Sequence, residues 1–173
     1  MRTHRKIAIF VAIVTMVILS AGTTASAAAA PPPFTAHMKF LHSGKCLETA
    51  NNAGHNGARV QQWECLAQPA AYWIFNLNPA KGVWIQHRDH PAQCLKIAGP
   101  SKANGARAEL YTCADQAEAY WELRQKENDP RYFYLVNRYS GKCLQIAGRG
   151  MANGAVAEQW DCQGQQNAYF NRD

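Results

Sequence analysis

The chain has 173 residues, 47% hydrophobic and 17% charged, which fits one globular domain or two very small ones. Aromatics at 10%, with only 12 Gly and 8 Pro, exclude a collagenous or disordered chain. The formal charge of +6 invites a nucleic-acid partner, but three of the cations fall in the first six residues and the rest are scattered, so no phosphate-tracking stripe is present.

Taken in chain order, the first element is an export signal. Arg2, Arg5 and Lys6 precede an apolar run from Ile7 to Leu19, broken only by Thr15, and Ala25-Ser26-Ala27 forms a small-residue cleavage site. Those 13 apolar residues are too few to cross a bilayer, which takes about 20. Residues 1–27 are therefore predicted to be a secretory signal peptide and residues 28–33 an Ala/Pro linker. The expected mature product is a secreted, extracellular, monomeric domain over residues 34–173, with net charge +3 and no membrane contact.

The rest of the chain repeats itself three times. Cys46, Cys94 and Cys143 lie 48 and 49 residues apart, and each is followed by Leu. Ten residues after each comes Asn-Gly-Ala, then an aromatic at seventeen (Trp63, Tyr111, Trp160) and a second Cys at nineteen (Cys65, Cys113, Cys162). Ala-Tyr-aromatic closes each copy, at Ala71-Tyr72-Trp73, Ala119-Tyr120-Trp121 and Ala168-Tyr169-Phe170. The repeats run about 34–76, 82–124 and 131–173. Two Cys at fixed spacing in each favour one bridge per repeat: Cys46–Cys65, Cys94–Cys113 and Cys143–Cys162. In an oxidising compartment such bridges persist. No close C-x-x-C pair exists to hold zinc, and no metal is expected.

The local pattern is β. Runs such as His37–His42, Arg59–Trp63, Val83–His87 and Tyr132–Asn137 mix apolar and polar residues between Ser-Gly, Lys-Gly and Asn-Gly turns. About four short strands per repeat give about twelve. The third repeat stops early, so Phe34–His42 is expected to supply its missing strand and close the fold on a pseudo-threefold axis. Trp73, Trp121 and Phe170 are expected in the core, with Tyr72, Tyr120 and Tyr169 on the opposite strand face.

This spacing of C-L, aromatic, second Cys and closing aromatic resembles the ricin B-type lectin family over residues 34–173, and Asn137–Leu144 is especially similar to the family's opening strand and turn. The resemblance implies an all-β β-trefoil with one potential sugar pocket per repeat. Each family pocket holds a carboxylate two residues after the first Cys, an amide two before the stacking aromatic, and an Asn five after the second Cys. Pyranose faces carry apolar C–H groups that suit a flat ring, while their edges need directional donors and acceptors. The matching positions are Glu48, Gln61, Trp63 and Ala70 in the first repeat, and Lys96, Glu109, Tyr111 and Glu118 in the second. In the third they are Gln145, Glu158, Trp160 and Asn167. The third set has all four elements with acid and amide exchanged, the first lacks the Asn, and in the second Lys96 is expected to pair with Glu109 and fill the pocket. Ala71, Ala119 and Ala168 stand where the family's Q-x-W repeat has Gln.

No nucleophile–base motif is present, so neither an enzyme nor a cofactor is expected. His37, His42, His55, His87 and His90 read as falling at unrelated repeat positions, with His87 and His90 in a surface loop. The function these residues imply is weak, multivalent binding of galactose- or xylose-type glycans or polysaccharides. The alternative is a protein-binding trefoil, a protease inhibitor or toxin-targeting subunit, whose contacts would come from Asn76–Ala92 and Arg124–Pro130.

Overall fold

The computed structural model describes residues 30–172, so the export signal lies outside the described residues. Residues 30–33 are exposed coil. Thirteen short strands follow, against the twelve expected, because Phe34–His42 is split into β1 (Phe34–Ala36) and β2 (Met38–Phe40). The first repeat continues with β3 (Cys46–Thr49), β4 (Ala58–Trp63) and β5 (Trp73–Asn78). The second holds β6 (Gly82–His87), β7 (Gln93–Ile97), β8 (Ala108–Thr112) and β9 (Trp121–Lys126). The third holds β10 (Asp129–Asn137), β11 (Cys143–Ile146), β12 (Ala157–Trp160) and β13 (Phe170–Arg172).

The antiparallel pairings close a ring. From β1 the order runs to β5, β6, β9, β10, β13 and back to β2, which adjoins β1 through His37 alone. This six-stranded barrel leaves no free edge strand. The closing strand comes from the N-terminal segment, as expected, with Met38 opposite Arg172 and Phe40 opposite Phe170. Three hairpins, β3–β4, β7–β8 and β11–β12, cap one end. They meet around the pseudo-threefold axis through Arg59 opposite Glu109, Arg107 opposite Glu158 and Gln61 opposite Val156. The architecture is a β-trefoil.

The repeated apolar positions fill the barrel. Trp73, Trp121 and Phe170 are fully buried, alongside Phe40, Leu47, Phe75, Ile85, Leu95, Leu110 and Leu135. Burying an indole strands its N–H, and the repeat solves this twice with one bond: Trp73 Nε1 donates to Leu47 O and Trp121 Nε1 to Leu95 O, both at 2.9 Å. Phe170 has no N–H to satisfy. The three bridges form as paired above, at Cα separations of 5.2, 5.0 and 5.1 Å. Each closes about 20 residues, a constraint worth roughly 3 kcal/mol in the chain-entropy view.

The histidines differ from the sequence expectation. His42 and His90 occupy the same repeat position, four residues before the first Cys. His42 Nε2 donates to Gly150 O at 3.0 Å, and His90 Nε2 to Asn52 O at 2.9 Å, each tying one repeat to the loop of another. Gly54 backs onto the His90 ring, where a side chain would collide with it. His87 lies on no surface loop: it ends β6, is fully buried, stacks on His90 and bonds Thr49 Oγ1 at 3.1 Å. Asn76–Ala92 and Arg124–Pro130 are plain strand hairpins, with turns at 79–81 and 127–128.

Candidate functional site

Hairpin register gathers each group of site residues. Trp63, Tyr111 and Trp160 stand directly opposite Cys46, Cys94 and Cys143, while Glu48 faces Gln61, Lys96 faces Glu109 and Gln145 faces Glu158. Residues two apart share a strand face, so aromatic, acid and amide emerge together. The three aromatics are 38%, 37% and 38% exposed, while the closing Trp73, Trp121 and Phe170 of the same repeats are buried.

The third group forms an open cavity of about 300 Å³ lined by Gln145, Gly148, Arg149, Glu158, Trp160, Gln163, Gln165 and Asn167. Gln145 Nε2 donates to Glu158 Oε1 at 2.9 Å. Gln145 Oε1 accepts from Gln165 Nε2 at 3.0 Å and from Asn167 Nδ2 at 3.2 Å. Asn167 Nδ2 also donates to Ile146 O at 2.6 Å. That leaves Asn167 Oδ1 buried and without a partner among the described residues, an orphan acceptor on a residue that lines the cavity.

The first group lines about 230 Å³ with Glu48, Asn51, Asn52, Gln61, Trp63, Gln68, Pro69 and Ala70. Here Gln61 Nε2 donates to Glu48 Oε1 at 3.0 Å, the same cross-strand bond as in the third repeat, run in the opposite direction. Exchange of acid and amide therefore conserves the pair. Glu48 Oε2 accepts from Gln68 Nε2 at 2.8 Å, and Gln61 Oε1 from Arg59 Nη2 at 2.6 Å, so these oxygens are already occupied.

The second group is closed by its own side chains. Lys96 is buried, with Nζ 4.2 Å from the centre of the Tyr111 ring. The partner differs from the expected Glu109: Lys96 Nζ lies 3.6 Å from Glu118 Oε1 and 3.1 Å from Gln116 Oε1, while Glu109 pairs with Arg107 at 3.6 Å. Glu109 does stand directly across the strand pair from Lys96. The acid that reaches the amine instead comes from the short 3-10 turn at Ala117–Ala119. An ammonium seated on the ring occupies the face a sugar would stack on.

Two sets of residues escaped the sequence reading. Gln68, Gln116 and Gln165 all lie 22 residues after the first Cys, an identity in all three copies that was signal enough. Gln68 accepts from Leu66 N and donates to Glu64 O, and Gln165 accepts from Gln163 N and donates to Asp161 O, which braces the loop beside each cavity while the amide reaches in. The Asn-Gly turns are the second set. Each turn docks on the site strand of a different repeat: Asn153 Oδ1 accepts from Glu64 N at 3.2 Å, Asn104 Oδ1 from Asp161 N at 3.1 Å, and Asn56 Oδ1 from Thr112 N at 2.7 Å. Gly154 lies against Trp63 and Gly105 against Trp160. Trp63 and Trp160 are thus flanked by the turn of another repeat, and Tyr111 is followed by the residue such a turn bonds.

The ricin-type β-trefoil lectin domain-like family matches over residues 35–111, 82–160 and 117–172. No curated protein matches the sequence. Among solved structures, the designed threefold-symmetric protein ThreeFoil aligns with TM-score 0.74 and 24% identity over 80% of this chain and 96% of its own. The Macrolepiota procera ricin B-like lectin, solved in complex with lactose, aligns with TM-score 0.69 and 15% identity over 86% and 99%. An exo-β-1,3-galactanase from Clostridium thermocellum aligns with TM-score 0.75 and 19% identity over 83% of this chain, which spans 31% of that enzyme. With three overlapping family matches covering nearly all of the described fold, this chain belongs to the ricin-type β-trefoil lectin domain-like family.

Proposed function

We propose that this chain is a secreted carbohydrate-binding module, not an enzyme, that holds galactose- or xylose-type residues of a glycan or polysaccharide in its third and first cavities. One observation carries the reading: Trp160 stands exposed beside an acid–amide pair and Asn167, and all four residues line one cavity. The ring offers the apolar C–H face of a sugar a platform, and the polar set takes its hydroxyls. The Macrolepiota lectin with bound lactose shares the fold and supports a saccharide ligand. Shallow open sites of this kind bind on the order of millimolar, about −4 kcal/mol each. Two sites on one rigid body gain by avidity on a polymer.

The experiment is retention of the oxidised mature protein on insoluble galactans and xylans, together with a glycan array. Retention eluted by one free sugar is expected, and Trp160→Ala is expected to weaken it at least tenfold. Equal retention of the Trp160→Ala variant would refute the third cavity as the site. The protein-binding alternative relied on protruding connections, and those segments are plain hairpins.

A further inference from the structure

Arg149 lies in an uncommon backbone conformation. Its φ is +55°, directly after Gly148 at +57°, and a long side chain is uncommon in that left-handed region. The matching residue of the first repeat is Asn52, at φ +52°, a residue type that tolerates the conformation. In the second repeat the position is Pro100. Among the described residues Arg149 makes no ion pair, and it is exposed on the wall of the third cavity. Of the residues lining that cavity only Glu158 and Arg149 are charged, and Gln145 holds one oxygen of Glu158. Asn167, whose side-chain oxygen is buried without a partner among the described residues, lines the same space.

We propose that the third cavity selects an acidic sugar, a uronic acid whose ring hydroxyls bond Glu158 and Asn167 and whose carboxylate is taken by the Arg149 guanidinium. The inference rests on reading this cavity as a saccharide site and adds the class of saccharide. The guanidinium is a planar fork matched to a carboxylate, and among the described residues it is engaged by no ion pair, Glu158 being held instead by Gln145. A neutral hexose would use the hydroxyl partners and leave the cation idle. The first cavity, with Asn52 at this place, holds no equivalent cation and is expected to show no such preference.

The test compares sugars that share ring stereochemistry, galacturonate against galactose and glucuronate against xylose. They are titrated calorimetrically into the mature protein carrying Trp63→Ala to silence the first cavity. In at least one pair the uronate is expected to bind roughly fivefold more tightly at low salt, an advantage that shrinks in 0.5 M NaCl because the contact is exposed. Arg149→Asn is expected to bring that ratio toward one while raising the melting temperature, since Asn fits the left-handed backbone. Neutral sugars binding as well as the uronates, or a preference that survives Arg149→Asn, would overturn the acidic-sugar inference and leave sugar binding standing. No binding of any of the four by folded protein would overturn both readings.

Discussion

At the scale of single residues, two side chains fill the second group where the third is open. Lys96 stands where the third repeat has Gln145, and Glu118 where it has Asn167; Glu109 and Glu158 already match. Lys96→Gln with Glu118→Asn should therefore open a cavity beside Tyr111, and calorimetric titration with the sugar the third cavity takes should count one more site. Lys96→Gln alone should instead destabilise, because it leaves Glu118 partly buried without its cation. The candidate residues were reached through the family resemblance. The choice of Glu118 over Glu109 was not legible, because four pocket positions in a sequence do not report which acid reaches the amine.

His87 makes a second residue-scale prediction. Burial first, then the charge of His90, pushes its pKa below 6.5, while the Ala70 carbonyl and Asp89 act the other way and Arg88 adds to the lowering. Burial does the same to His42. The folded chain then resists protons that the unfolded chain accepts, so stability is full above 6.5 and falls as pH drops below it. The depressed carboxyls of Asp89 and Asp129 lose their contributions only below 3.8, which separates the two windows. Melting temperatures are expected to fall between pH 7 and pH 5, and His87→Gln to flatten that slope. An unchanged slope in the variant would show that His87 does not set it.

At the scale of elements, the Asn-Gly turns are the unexpected part. Their sequence signalled a tight turn and nothing of where the turn docks, since those contacts join residues 56, 57 and 89 apart. Gly154 has φ +82°, so Gly154→Ala should cost about 1 kcal/mol in thermal or urea unfolding. Its particular signature lies elsewhere. The turn belongs to the third repeat but braces Trp63 of the first, so the substitution should weaken sugar binding at Trp63 more than at Trp160, read from the two indole NMR signals. Equal loss at both would indicate general loosening instead. The cysteine pairing, by contrast, was legible because the bridge is local to each repeat.

At the scale of the whole molecule, the closure between β2 and β13 places the two ends of the described barrel side by side, with Arg172 opposite Met38. A short linker joining the ends, with new termini opened in the exposed 79–81 turn, should leave a folded protein with all three bridges and a melting temperature within several degrees of the parent. Failure of that permutant to fold would mean that closure order matters more than contacts. The fold could be read from one sequence because three copies of the same apolar spacing agree, and each checks the others. The thirteenth strand and the shared role of His42 and His90 were not, because they arise where different repeats meet. The same crossing of repeats has a consequence for the isolated unit. One repeat contains an aromatic and a turn that never touch each other, since the turn serves a neighbour. A chain of about 48 residues could assemble a complete site only as a ring of three copies, so in such a fragment ligand affinity would rise and fall with protein concentration.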